Sequence, residues 1–499
     1  MKKQSYILAI DEGTTGTTSL LIDSEGQVIS KAYREVHTFY PQPGWVEQDA
    51  DELFQKAIAG AREVVLKAGI NISQVKGIGI TNQRETTIVW DRNTGKPVTN
   101  AIVWQCRRTA EMCDELKQNG FERTIMDKTG LVIDAYFSAT KLRWILDHIP
   151  DGHKRAQQGD IIFGTVDCWL VWKLTGGAVH ITDYSNASRT MLFNINTLSW
   201  DKELLSIFNI PEAVLPRVVP SCQFHGETIS SVFGVKLPLT GIAGDQQAAL
   251  FGQACYEVGN AKNTYGTGCF ILLNTGNKPV ASKSGLLSTV AWGIGNEVTY
   301  AMEGSVFVTG AAVQWLRDEL KIISNAADSE TVAKSVPDNG GVYMVPAFVG
   351  LGAPYWDMYA RGIIIGITRG TNQGHIVRAT LEAIAYQVRD VVDLMSNEAN
   401  TRIPSLRVDG GGTANSLLMQ FQADILGIPV KLTAVPDTTA LGAGYLAGLG
   451  VGMWQNTEEI AHKSHISRIF EPGMSSDKRE LLYSDWKRAI ERARNWVRN

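Results

Sequence analysis

Cysteine is scarce: six residues in a chain of 499, at positions 106, 113, 168, 222, 255 and 269, with no Cys-x-x-Cys pair among them. That excludes a disulfide scaffold and a thiolate zinc site, and it points to reduced thiols in a cytoplasmic protein. Positive charge is not in excess either. Lys plus Arg number 47 against 51 Asp plus Glu, a net of −4, so nothing is set aside to neutralise a nucleic-acid backbone. No run of eighteen uninterrupted apolar residues occurs, so no membrane-spanning helix is expected. The first apolar run, Tyr6–Ile10, is closed by Asp11 and Glu12; it reads as a first strand and not as a signal peptide. Neither glycine-rich turn, Gly13–Gly16 or Gly266–Gly268, runs into Gly-Lys-Ser/Thr. His-Arg-Asp, Asp-Phe-Gly and Gly-x-Ser-x-Gly are also missing, which removes the P-loop, the protein-kinase site and the nucleophile elbow. His462 and His465 have no ligand partners nearby in sequence and read as residues of a solvated face.

What remains is an ordinary globular composition, 44% apolar and 20% charged, at a length that suggests two to four domains. The 48 glycines gather at the ends of apolar runs, where turns approach a ligand. Strand-like and helical segments alternate, which predicts an α/β fold. Strands are expected at Ile7–Ile10, Ser19–Ile22 and through Val28 and Ile29, with a Gly/Thr turn over Asp11–Thr18. A helix is expected from about Asp51 to Leu66, capped by Asp49 or Asp51, and a strand over Ile78–Ile80. The second half opens in the same way: Asn260–Thr264, the turn Tyr265-Gly266-Thr267-Gly268, Cys269–Leu273, a strand near Val298–Met302, then a helix from Gly310. About 250 residues separate the two openings, so the expectation is two domains, 1–250 and 251–499, facing each other across a cleft. Leu381, Ile384, Ala385, Val388, Val391, Val392 and Met395 share one helical face. Leu481, Leu482, Trp486, Ile490 and Trp496 give the C-terminal segment an apolar stripe, the mark of a docked terminal helix.

Four polar segments stand out against this frame. Asp11-Glu12-Gly13-Thr14-Thr15-Gly16 offers crowded backbone N–H groups and hydroxyl donors for phosphate oxygens, behind a carboxylate suited to a cation. Tyr265-Gly266-Thr267-Gly268 repeats that chemistry in the second half, and two such turns suit a polyphosphate. Asp409-Gly410-Gly411-Gly412-Thr413-Ala414-Asn415 follows a strand and opens into the helix Ser416–Leu426, a place for a phosphate or a flat group against backbone. Thr81–Thr87 lies between two apolar strands as either a surface loop or a binding rim; its Arg84 and Glu85 combine donors and acceptors that suit vicinal hydroxyls. Asp245 ends a strand at the domain boundary, either as a base for a nucleophilic hydroxyl or as the N-cap of the helix Gln246–Phe251. The residues themselves carry the reading to a two-lobed α/β enzyme for a polyphosphate nucleotide and a polyol.

Tyr136-Phe137-Ser138-Ala139-Thr140-Lys141-Leu142-Arg143-Trp144 and the segment from Gly362 to Glu382 resemble the two signatures of the FGGY carbohydrate kinases. That family shares the actin/hexokinase/Hsp70 ATPase superfold, and the likeness runs from Ile7 to about Trp454. Gly79–Thr87 and Trp104–Thr109 resemble the branch of the family that phosphorylates glycerol. The resemblance implies two RNase H-like domains flanking a central cleft, ATP and Mg²⁺ as cofactors, and a homo-oligomer, dimer or tetramer. It implies that Arg84, Glu85, Tyr136, Asp245 and Gln246 hold glycerol by hydrogen bonds, that Trp104 and Phe270 pack on its carbons, and that Asp245 is the general base. It implies Asp11 for the metal, Thr14, Thr15, Gly16 and Thr267 for the ATP phosphates, and Gly310, Gln314, Gly411 and Asn415 for the nucleoside.

Three departures from the family pattern bear on function. Thr18 stands where an arginine that reaches the transferring phosphoryl group is expected, which implies a slower enzyme or another cation in its place. It also keeps two other readings in view: a kinase for another polyol or ketose, and a weakened nucleotide-binding paralogue. Gly412 replaces the usual alanine, which implies a looser nucleotide turn. Ser231–Lys236 lacks the Gly-rich, Arg-containing loop tied to fructose 1,6-bisphosphate inhibition, so no such inhibition is expected.

Overall fold

The computed structural model describes residues 4–497. Strands β1 (Tyr6–Glu12), β2 (Gly16–Asp23) and β3 (Val28–Glu35) form an antiparallel meander. Ile7, Leu8, Ala9 and Ile10 are all buried, so both faces of β1 are covered and its sequence is a continuous apolar run, not an alternating one. Helix α1 (Ala50–Lys67) starts at the Asp49 cap, whose carboxylate accepts from the backbone N–H of Asp51 and Glu52. Its Leu53, Ala57, Ala61 and Val64 recur at helical spacing and are buried. Strands β4 (Val75–Asn82), β5 (Cys222–Glu227) and β6 (Pro238–Gly244) and helix α2 (Asp245–Gly252) complete this half. The strand order is β5-β6-β4-β1-β2-β3, with β4 parallel to β1 and β6 parallel to β4.

The second half is built from β7 (Ala261–Tyr265), β8 (Cys269–Gly276), β9 (Leu287–Ile294), β10 (Glu297–Val306) and helices α3 (Gly310–Asp318) and α4 (Gln373–Glu398). After them come β11 (Leu406–Asp409), α5 (Ser416–Leu426), β12 (Val430–Thr433), α6 (Thr438–Gly450), β13 (Ile466–Phe470) and α7 (Ser476–Ala493). Its order is β13-β12-β11-β7-β8-β10-β9, with β7-β8-β10 antiparallel and β11 and β12 parallel to β7. Each half therefore has a first strand with an antiparallel meander on one side and two parallel strands on the other. The repeat that shows in few residue identities is plain in the topology. One register pair, Cys222 with Ile294, joins β5 to β9 and makes a single thirteen-stranded sheet.

Between the halves lie α2 and α6, in a cluster that draws Ile7, Ala9 and Ile22 from one half of the sheet and Leu272, Ala291 and Ala301 from the other. The two helices meet backbone to backbone: a Cβ on Gly252 would collide with the Thr438 carbonyl, and one on Gly442 with the Ala248 carbonyl.

Some expected boundaries move. The turn expected over Asp11–Thr18 is confined to Gly13–Thr15, because Asp11 and Glu12 still pair as strand with Thr18 and Thr17. All seven expected apolar residues of α4 are buried. In α7 Trp486 and Ile490 are buried, but Leu481 is 64% exposed, and Trp496, beyond the helix, is 63% exposed. Tyr483 takes the inward position instead, because its hydroxyl and the Trp486 indole N–H both donate to the buried Asp390 carboxylate.

Candidate active site

Asp245 is the first residue of α2, directly after Gly244 ends β6. Its Oδ1 accepts from the Gln246 N–H at 2.7 Å and stands 3.1 Å from Arg84 Nε. The carboxylate is partly exposed, so it joins the helix start while keeping an open side.

Arg84 comes from Thr81–Thr87, the segment the sequence leaves as loop or rim. Every residue of it is buried. Thr81 and Asn82 finish β4; the chain then turns tightly, with the Thr86 N–H donating to the Arg84 carbonyl and Glu85 at φ +61°. A non-glycine residue in that left-handed region is strained and persists only when its surroundings hold it. Here Arg189 Nε, 2.7 Å from Glu85 Oε1, holds it. Arg84 extends both arms to Glu303, Nη1 to Oε2 at 2.5 Å and Nη2 to Oε1 at 3.0 Å, and Arg189 Nη2 reaches the same Oε1 at 3.1 Å. Four buried charges thus form one chain, Glu85–Arg189–Glu303–Arg84, which ends at Asp245. Burial works against the Glu303 charge, but Arg189 and Arg84 overcome it and bring this carboxyl down to about 2. Burial raises Glu85 despite both arginines.

An aromatic wall adjoins these charges. Trp104 and Tyr136 meet edge to face with centroids 5.4 Å apart, and Arg84 Nη2 lies 3.4 Å from the Tyr136 hydroxyl. Burial pushes the Tyr136 phenol up, so it acts as a neutral hydrogen-bonding group. Lys141 Nζ donates to the carbonyls of Ala135, Tyr136 and Phe137, which pins the tyrosine segment. The Trp104 indole donates to Thr14 Oγ1 at 2.9 Å, so the same wall supports the first Gly/Thr turn.

Asp11 and Thr18 lie opposite each other beside that turn. Burial, then the neighbouring Asp245 and Asp437 carboxylates, raise Asp11 to about 8, against a partial offset from Lys31. Lys31 Nζ is 2.7 Å from Asp437 Oδ1. Carboxylates that repel one another in this way fit a cation. Among the described residues no three carboxylate, His or Cys groups are grouped to bind a metal directly, so the donor set suits an ion held by Asp11 through water.

The second half brings its expected residues to one place by register. Asp409, Thr264, Phe270 and Ser305 lie side by side across β11, β7, β8 and β10. Thr267 is exposed at the tip of its turn. Gly310 fits against the Gly266 carbonyl, at 2.5 Å from an added Cβ, and Gly410 against Tyr265, so three loops converge there. Gly412 also lies on Tyr265, where an added Cβ would stand 2.9 Å from the tyrosine Cβ. Glycine there brings the turn closer to the strand, which corrects the expectation of a looser turn. Gly411 has no neighbour within 4 Å of an added Cβ, and Gln314 is exposed on α3. Asn415 caps α5 through Oδ1 and donates through Nδ2 to Ser329, so both ends of its amide are engaged within the protein.

Glu303, Arg189 and Lys262 are absent from the sequence reading. Each is a charge inside an apolar or small-residue segment (Ala301-Met302-Glu303, Ala187-Ser188-Arg189, Ala261-Lys262), and a charge so placed needs a buried partner. That was the available signal.

Two family models match the chain: the N-terminal domain of the FGGY family of carbohydrate kinases over residues 6–252, and its C-terminal domain over 261–451. A protein of Thermotoga maritima named glycerol kinase 2 is 61% identical, covering 98% of this chain and 99% of its own. A glycerol kinase of Caldanaerobacter subterraneus is 59% identical, covering 99% of each. Among solved structures, a Plasmodium falciparum glycerol kinase with ADP superposes with a TM-score of 0.94 at 36% identity, covering 99% of both chains. A ligand-bound xylulose kinase of Lactobacillus acidophilus shares the fold at 23% identity, with a TM-score of 0.88 and 98% of both chains covered.

Proposed function

The chain belongs to the FGGY family of carbohydrate kinases, and from that membership we propose that it transfers the terminal phosphoryl group of ATP to glycerol, giving sn-glycerol 3-phosphate. The observation that carries the reading is Asp245 held 3.1 Å from Arg84 Nε, with Tyr136 and Trp104 beside the arginine. Relatives named glycerol kinase at about 60% identity over nearly the whole chain favour glycerol over other polyols and ketoses.

The mechanism follows from the residues. Arg84 donates to polyol hydroxyls, Glu85 accepts, and Tyr136 and Gln246 add further hydrogen bonds, while Trp104 and Phe270 cover the carbon backbone. Asp245 takes the proton from the terminal hydroxyl as its oxygen attacks the γ-phosphorus; the bond from that phosphorus to the β-bridging oxygen breaks and ADP leaves. Thr14, Thr15, Gly16 and Thr267 present donors to the phosphates. Gly310, Gln314, Gly411 and Asn415 border the nucleoside, Asn415 by capping α5. When bound near Asp11, Mg²⁺ supplies charge neutralisation for the phosphate oxygens. Residues 1–250 carry the polyol and phosphate sites, to which the second half adds Phe270 and Thr267, and residues 251–499 carry the nucleotide site; closing the two excludes water, which competes with glycerol for the phosphoryl group.

The same reading makes the protein a cytoplasmic homo-oligomer, dimer or tetramer. Six free, buried cysteines support the compartment, and the exposed Val349, Trp356, Met358 and Tyr359 support association. Ser230–Phe233 is a single short helical turn, and no inhibition by fructose 1,6-bisphosphate is expected; a saturable effect of that sugar on velocity refutes this.

The test is a coupled ADP-release assay with Mg-ATP and glycerol, other polyols, ketoses or no acceptor. Glycerol-dependent release that disappears in Asp245→Asn is the expected result. Release with another sugar alone would move the substrate assignment, and no release with any acceptor would sink the kinase reading.

A further inference from the structure

Lys262 is fully buried on β7, in the cross-strand row Arg407–Lys262–Leu272–Glu303, on the sheet face shared with Glu303. Its ammonium donates to Gln246 Oε1 at 2.5 Å and to Thr264 Oγ1 at 3.0 Å. Gln246 belongs to the first half and is next to Asp245 on α2; Lys262 and Thr264 belong to the second half, on the strand that runs into the Gly266–Gly268 turn. Burial lowers Lys262 from the usual lysine range, while Asp409, Asp245 and Glu303 around it favour its charge. An isolated buried lysine would be costly; this one is kept by the groups that surround it.

The contact fixes an amide. A side-chain amide has one end that accepts and one that donates, and the two ends are nearly the same size. An ammonium has no lone pair, so only Oε1 can face it. Gln246 is therefore unable to turn over, and its Nε2, which makes no hydrogen bond among the described residues, is left as a pair of donors on the residue that follows Asp245 in α2. A hydroxyl that gives its proton to a carboxylate keeps lone pairs that need a donor. Neighbouring residues then supply the two complementary halves of hydroxyl recognition.

We propose that Lys262 is a positioning residue, which orients the Gln246 amide so that its Nε2 donors face the polyol. This rests on the glycerol reading above. It also ties the strand leading into the second phosphate turn to the residue that grips the acceptor.

The experiment is a double-mutant cycle of Lys262→Met and Gln246→Ala, read both on steady-state kinetics with Mg-ATP and on glycerol binding by calorimetry. Each single variant should raise the glycerol KM about tenfold, the effect of losing one hydrogen bond to the polyol, with kcat and the ATP KM changed less than about threefold. The double variant should be no worse than Gln246→Ala alone. Losses that multiply to about a hundredfold overturn the proposal, because Lys262 then acts independently of Gln246. Gln246→Glu covers the case in which Lys262→Met fails to fold. It leaves the lysine a partner and keeps the melting temperature, yet presents oxygens where donors stood. Glycerol binding weakened about tenfold supports the proposal, and wild-type binding in that variant overturns it. Binding that follows the cycle without turnover would sink the kinase reading and keep this one. Turnover with multiplying losses would do the reverse.

Discussion

Arg84 and Glu303, 219 residues apart, meet through both arms of the guanidinium, at 2.5 and 3.0 Å, with both side chains at or below 2% exposure. This pair clips the buried Thr81–Thr87 segment of the first half to a strand of the second. Removing one partner of a buried ion pair leaves the other charge unpaired, at about 3–5 kcal/mol. Glu303→Gln should destabilise the protein by that amount in denaturant unfolding and raise the glycerol KM. The sign with pH is fixed. Glu303 is depressed to about 2 from 4.5, so its stabilisation is fully present above pH 4.5 and is lost as pH falls through 2. The gap between wild type and variant should hold steady from pH 5 to pH 8.

Asp245→Asn keeps the shape of the residue and removes the proton acceptor. Turnover should fall about 10²–10⁴-fold, with glycerol still bound and the melting temperature close to wild type. A variant that retains wild-type kcat would remove Asp245 from the role of base.

Asp11 is raised to about 8 from 3.8, by burial first and then by Asp245 and Asp437. A raised carboxyl favours the folded state while protonated. That contribution is complete below pH 3.8 and is lost as pH rises through 8. In the protein without ligands and with a chelator, melting temperature should fall between pH 5 and pH 8.5 more steeply for wild type than for Asp11→Asn. A difference of 1 kcal/mol is worth about 2–4 °C in domains of this size. Equal slopes would show that Asp11 titrates normally.

Thr18 is the cross-strand partner of Asp11, so a longer side chain there begins beside the carboxylate cluster. Thr18→Arg should raise kcat about tenfold or more, on the scale of arginines that clamp a transferring phosphoryl group. An unchanged kcat would show that the position is no clamp in this chain. Lys31, already paired with Asp437 at 2.7 Å, is then the cation to substitute next.

The two openings were legible because a strand, a Gly/Thr turn and a returning strand are short-range features, and Tyr6–Asp23 and Ala261–Gly276 each contain one complete unit. Helix α5 was read to its ends because Asn415 caps it and Gly427 closes it at φ +69°. β9 went unread, since Leu287–Ile294 earns its place as a strand from a neighbour in β10 and a single pair in β5. The burial of Thr81–Thr87 was equally hidden: seven polar residues read as loop or rim until Glu303 arrives from a distant strand and Arg189 from a distant turn to satisfy them. Short-range chemistry is written locally. Charge pairing across the two halves is not.

At Gly252 and Gly442 α2 and α6 touch through glycines and carbonyls, with no side chain between them. Side-chain knobs must lift out of their holes before one helix can pass another, but bare backbone keeps its contacts through a small slide. The two half-sheets are stitched to each other at one pair, Cys222 with Ile294. Any turn of one half against the other would pivot on that short seam and slide the glycine-faced helices along each other, and a single methyl group at Gly442, set against the Ala248 carbonyl, would act as a wedge against it.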